Sequence, residues 1–241
     1  MSENLLHLDG VHMHVGHYHI LQGVDLAVPQ GGLTMLLGRN GAGKTSTMRT
    51  IMGLWKASAG TVKFSGDDIA AMPTPEIAKK GIAYVPENMG IFAGLTVHEN
   101  MLLAARDDDF NQDRLAWIYD LFPALKKFWQ LAAGNLSGGQ KQMLSIARAI
   151  IEPRELLLID EPTKGLAPAI VDSLIEAFLQ LKRTDSTILM VEQNFRMASA
   201  VGDTVAVMDD GRVVHAGTMA ELSENEDLQQ RLLGLSLDSH Q

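Results

Sequence analysis

Eight consecutive residues, Gly38-Arg39-Asn40-Gly41-Ala42-Gly43-Lys44-Thr45, fit the pattern GxxxxGK[ST] at every position. The chemistry of that pattern is anion binding. Glycines let successive backbone N–H groups converge on phosphates, and the helix that opens at the end of the loop adds the positive end of its dipole. Lys44 then reaches the β- and γ-phosphates of a nucleotide, and the Thr45 hydroxyl is a ligand for Mg²⁺. Ser46, next along the helix, counts with the loop as a nucleotide contact. A chance glycine-rich turn is the bland alternative. The apolar run Leu33–Leu37 before the loop and the helical stretch after it argue against that.

A second cluster stands at Leu156-Leu157-Leu158-Ile159-Asp160-Glu161. An apolar strand that ends in Asp places a carboxylate at the carboxyl edge of a sheet, where ligands of open α/β sheets bind. Asp160 is the magnesium carboxylate in this reading, and Glu161 polarises the attacking water. A carboxylate that merely caps the next helix is the structural alternative. A third stretch, Leu136-Ser137-Gly138-Gly139-Gln140, again puts a hydroxyl and two glycines at a helix start. Alone it reads as an N-cap. It lies 23 residues before Asp160, in a chain that already has one phosphate loop. It therefore makes best sense as a cap on the γ-phosphate of a nucleotide held by another subunit.

These residues need a scaffold. The first ~37 residues alternate apolar and polar, as in Val11-His12-Met13-His14-Val15 and Val24-Asp25-Leu26-Ala27-Val28, which predicts half-buried antiparallel strands. Leu33–Leu37, Ile82–Val85, Leu156–Ile159 and Ile188–Val191 read as strands buried on both faces. Helices are expected from Lys44 to about Leu54, in pieces between Leu95 and Leu131, from Ser137 to Ile151, and from Ala169 to Lys182. Asp107-Asp108-Asp109 reads as a solvated link, and Asp210-Gly211 as a hairpin turn. The fold class is α/β: a P-loop core with an N-terminal antiparallel β layer, about 1–87 and 153–241, and a helical subdomain, about 88–152, in one domain spanning 1–241.

Composition narrows the classes. The chain has 241 residues, long enough to bury roughly 70% of its unfolded surface without staples. It has no cysteine, which excludes disulfides, thiolate metal sites and a cysteine nucleophile. The net charge is 20 − 29 = −9, which argues against a nucleic-acid partner. No secretory signal and no run of ~18 apolar residues is visible, so a soluble protein is expected, tied to a membrane only through a partner.

With the three motifs in hand, the chain resembles the ATP-binding subunits of ABC transporters over essentially its whole length. The resemblance implies the ABC ATPase fold, ATP with Mg²⁺, and two subunits packed head to tail, a homodimer or a pair with a paralogous ATPase. Each ATP then lies between Gly38–Ser46 of one subunit and Ser137, Gly138, Gly139 and Gln140 of the other. Membrane-spanning permease subunits are implied as partners at the cytoplasmic face of the inner membrane, with a periplasmic solute-binding protein acting indirectly. Three departures from the general pattern carry further information: Glu87 in Tyr84-Val85-Pro86-Glu87, Gln193 in Val191-Glu192-Gln193-Asn194, and Ala167 in Gly165-Leu166-Ala167-Pro168. Together they resemble the ATPase subunits of branched-chain, or more broadly hydrophobic, amino-acid uptake systems. Urea, short amides or a non-transport role are the alternatives. In this setting Glu87 is a magnesium ligand, and Gln193 donates its amide to a phosphate oxygen. The family usually has an aromatic just before the first hairpin glycine. Here Val15 precedes Gly16, so Tyr18 is the expected adenine platform, with His14 and Val15 as competitors.

Two further groups stand out. His7, His12, His14, His17 and His19 crowd the first hairpin and read either as a solvated face or as a metal site. Met89, Ile91, Phe92 and Met101 follow Glu87, where the resemblance places a membrane partner. They read equally as a docking surface or as core.

Overall fold

The computed structural model describes residues 4–234 apart from 107, 108 and 185. Strands β1 (Asn4–Val15) and β2 (Tyr18–Pro29) form the expected antiparallel pair. β3 (Leu33–Gly38) is buried along all but its last residue and feeds α1 (Lys44–Ile51). Gly53, at φ +67°, takes the left-handed conformation just past that helix. Next come β4 (Ala59–Phe64), the two-residue β5 (Asp67–Asp68), α2 (Thr74–Lys79) and β6 (Ile82–Val85). The expected helical stretch follows as α3 (Val97–Leu102), α4 (Gln112–Leu121), α5 (Pro123–Lys127) and α6 (Gly138–Ile150). It is broken where Thr96, Asn111 and Ser137 cap new helices and where Pro123 starts one. Asp107 and Asp108 of the expected link lie outside the described residues, and Asp109 is exposed. The chain closes with β7 (Leu156–Asp160), α7 (Pro168–Leu181), β8 (Thr187–Val191), α8 (Phe195–Val201), β9 (Thr204–Asp209), β10 (Arg212–Thr218), α9 (Met219–Glu224) and α10 (Glu226–Leu233).

Two sheets result. One is antiparallel in the order β2-β1-β4-β5; the other runs β10-β9-β3-β8-β7-β6 and is parallel except for β10. Both faces of the second sheet are covered, which is why its central strands are continuously apolar. Leu33, Met35 and Leu37, Leu157 and Ile159, and Ile188 and Met190 point into a core shared with α3–α8. Leu36, Leu156 and Leu158, and Leu189 and Val191 point the other way, into a core shared with α1 and the antiparallel layer. Side chains alternate faces along a strand, so Asp160 continues the Leu156–Leu158 row toward α1. Among the described residues no helix is long and apolar enough to cross a membrane.

Candidate functional site

That parity brings the first two motifs together. Thr45, in the first turn of α1, donates its hydroxyl to Asp160 Oδ1 at 3.1 Å. Tyr84 of β6 donates to Asp160 Oδ2 at 3.1 Å. Asp160 is fully buried, and burial raises its carboxyl above the ordinary aspartate range, against the pull of these two donors. Burial also pushes the Tyr84 phenol far up, so the phenol stays a donor.

The loop of the first motif is shaped by backbone that only glycine adopts easily. Gly38 has φ +141°, and a side chain there would run into the Met208 carbonyl. Gly43 has φ +102° and lies against Leu21 and Met208. The turn at Gly211 ties the loop to the hairpins, donating to the Ala42 carbonyl at 3.0 Å and accepting from the Gln22 N–H at 2.9 Å. Lys44 is 5% exposed. Its Nζ donates to the carbonyls of Gly38 and Arg39. Burial lowers its pKa, while the carboxylates of Glu161 and Asp160 support its charge. α1 has no side-chain cap and no acidic residue in its first turn. Its terminal N–H groups therefore face the loop without an anionic competitor. A cavity lined by Gly38, Arg39, Asn40, Glu192 and Gln193 opens beside the loop.

Glu161 sits one residue beyond the strand with φ +49°, a conformation that costs a non-glycine residue about 1–3 kcal/mol. Its N–H is held by the Val191 carbonyl at 2.9 Å. Gln193 donates its amide to Glu161 Oε1 at 2.6 Å. The contact the structure gives Gln193 is thus the carboxylate beside Asp160. Lys164 stands 3.3 Å from Glu161 Oε2 and 2.5 Å from Glu87 Oε1. Glu87 is close enough to Asp160 to raise its pKa. Below them Glu192, 2% exposed, fixes both loops: Oε1 accepts from the Thr163 N–H and hydroxyl, and Oε2 from the N–H groups of Gln193 and Asn194.

Ser137, Gly138, Gly139 and Gln140 begin α6. Ser137 Oγ accepts from the Gln140 N–H at 3.3 Å, and the Gln140 side chain accepts from the Ser137 N–H at 2.9 Å, a complete capping box. Gly139 is buried with no room for a side chain, because Ile170 Cγ2 lies 2.7 Å from where its Cβ would stand. Ser137 and Gly138 are exposed.

In the first hairpin, Tyr18 pairs with Val15 and His14 with His19. Tyr18 and Val15 therefore share one face, opposite that of His14. Tyr18 is 76% exposed. His19 stacks on His14 and meets His12 at 2.9 Å. Among the described residues no group of three His, Asp or Glu is arranged to hold a metal. Of the apolar residues after Glu87, Met101 is in the core, Met89 and Ile91 are half-buried, and Phe92 is exposed beneath the Arg148 guanidinium.

The donor set of this site is hard: a hydroxyl, one buried carboxylate and a second carboxylate nearby. That set suits Mg²⁺, which takes few protein ligands and completes its shell with phosphate and water. The strong motifs named most of these residues in advance. Tyr84, Lys164 and Glu192 were missed. Glu192 alone left a signal, a carboxylate directly after a buried strand.

Comparison with known proteins bears on the family and the fold. The family model described as ABC transporter matches residues 21–164. A high-affinity branched-chain amino acid transport ATP-binding protein, BraG of Pseudomonas aeruginosa, is 37% identical over 232 residues, covering 95% of this chain and 100% of its own. A probable branched-chain amino acid transport ATP-binding protein, LivF of Archaeoglobus fulgidus, is 37% identical over 220 residues, covering 90% and 93%. The fold matches a crystal structure of an ATP-binding cassette of an ABC transporter in an ADP conformation. The TM-score is 0.80 at 24% identity, covering 97% of this chain and all of that one.

Proposed function

Because this chain belongs to the ATP-binding proteins of the ABC transporter family, we propose that it is the ATP-hydrolysing subunit that powers import of branched-chain or other hydrophobic amino acids through membrane-spanning permease partners. The observation that carries the hydrolytic reading is the pairing of Thr45 with Asp160, next to a Glu161 held by Gln193. In this reading Gly38–Ser46 and Lys44 bind the phosphates of ATP, and Tyr18 with Val15 offers the face for adenine. Thr45, Asp160 and Glu87 hold Mg²⁺, which when bound neutralises phosphate charge. Glu161 takes a proton from the attacking water. Gln193, having no ionisable group, orients Glu161 and can donate its amide to a phosphate oxygen.

The exposed Ser137 and Gly138, on the segment of about 88–152 that we take as the helical subdomain, meet the γ-phosphate of a second subunit. That second subunit is another copy or a paralogous ATPase. Phe92 and Leu103, 49% and 60% exposed, sit on the same segment and suit an apolar permease contact on the cytoplasmic side of the membrane. A solute-binding protein acts on this subunit only through the permease.

The cargo is tested with the subunit assembled with its permease in vesicles. Leucine, isoleucine or valine, presented with the solute-binding protein, should stimulate ATP hydrolysis. Stimulation by urea or short amides instead would reassign the cargo. Hydrolysis indifferent to every solute would remove the transport role.

A further inference from the structure

Lys164 lies between two carboxylates that belong to different parts of the site. Its Nζ is 2.5 Å from Oε1 of Glu87, just beyond the end of β6, and 3.3 Å from Glu161 Oε2. Gln193 occupies the other oxygen of Glu161 at 2.6 Å. Glu161 is thus gripped at both oxygens by donors from two loops, and both loops are anchored on the buried Glu192. Glu87, Asp160 and Glu161 together bring three carboxylates to the place where a polyphosphate must dock. Lys44 reaches the phosphates, which leaves Lys164 as the cation paired to the two outer carboxylates. The pair is half-exposed, with 57% of the Lys164 and 39% of the Glu87 side chain open to solvent, so it adds little to fold stability. Its consequence is electrostatic: Glu87 presents its oxygens with their charge offset by a cation that it shares with Glu161.

We propose that Lys164 is a positioning residue for hydrolysis, which offsets the charge of Glu87 beside the bound nucleotide and holds Glu161 in register with Gln193. The proposal rests on the hydrolytic reading of Glu161 and deepens it. Without Lys164, the charge of Glu87 beside the phosphates has only magnesium to offset it, and Glu161 loses one of its two restraints. The two effects separate in measurement. The first weakens nucleotide binding and depends on the charge at 87. The second lowers kcat.

The test is a mutant cycle between Lys164→Met, which keeps the aliphatic stem, and Glu87→Gln, on the purified full chain. Affinity is read by displacing a fluorescent nucleotide with a non-hydrolysable ATP analogue and magnesium; kcat is read separately, and melting midpoints show that each variant is folded. Contacting charged residues couple strongly. Lys164→Met should weaken analogue affinity about 5-fold and lower kcat. Adding Glu87→Gln should restore most of the affinity but not kcat, and Lys164→Arg should retain both. Affinity and kcat both unchanged in a folded Lys164→Met protein would overturn the proposal, and so would affinity that Glu87→Gln fails to restore. Neither result touches the hydrolytic reading, which falls only if Glu161→Gln, measured alongside, keeps wild-type turnover.

Discussion

At the scale of the residue, the proposed hydrolysis turns on Glu161. Its strained backbone, its Gln193 contact and its place one residue past the buried Asp160 fit the water-activating base we propose. Glu161→Gln should bind ATP with near wild-type affinity while kcat falls about 10²–10⁴-fold. Near wild-type turnover in a folded variant would move the base elsewhere. Tyr84 makes a subtler case. Its phenol is one of two hydroxyl donors to the buried Asp160. Tyr84→Phe removes a hydrogen bond to a charged group, a loss of about tenfold in magnesium affinity. The magnesium concentration for half-maximal hydrolysis should rise accordingly, while nucleotide binding without metal stays unchanged. The grouping of Lys44, Thr45, Asp160 and Glu161 is legible in the sequence because each sits in a motif whose local context repeats the message, and Ser137 is legible there as the cap of α6. Tyr84 and Lys164 are not. Tyr84 reaches Asp160 across two strands 76 residues apart, and Lys164 meets Glu87 across 77 residues. Juxtapositions of that kind have no local pattern.

Elements obey the same division. Of the four strands that read as buried on both faces, β3, β7 and β8 are so, while β6 lies at the edge of the sheet and leaves Ala83 and Tyr84 half-buried; the alternation along β7 aims Asp160 at α1. β4 went unread because its place is fixed by pairing with β1, Leu6 opposite Phe64, rather than by its own short pattern. The start of α6 was read as both cap and phosphate contact, and the two uses can be separated there. Ser137→Ala loses the capping box, costing about 1 kcal/mol and lowering the melting midpoint by about 2–4 °C. Ser137→Asn keeps a capping acceptor and should keep the midpoint. Both should lose hydrolysis if the hydroxyl serves a nucleotide. If Ser137→Asn hydrolyses at the wild-type rate, the stretch is a cap and nothing more.

At the scale of the whole molecule, the proposed function makes the phosphate loop and the start of α6 two half-sites. The α6 start packs on Ile170, and its side-chain hydrogen bonds close its own cap. In the assembly we propose, a second subunit packed head to tail supplies the missing half, and the site is shared between the two. That sharing is tested most directly by mixing Lys44→Ala with Ser137→Arg, each inactive alone. A mixed dimer has one site bearing both lesions and one bearing neither. ATP hydrolysis should therefore return on mixing, toward the fraction of intact sites that random pairing creates. If the two variants are shown to pair and hydrolysis stays absent, either the site is not shared or both sites must fire together; if Ser137→Arg alone abolishes ATP binding to the monomer, the site is not shared between subunits.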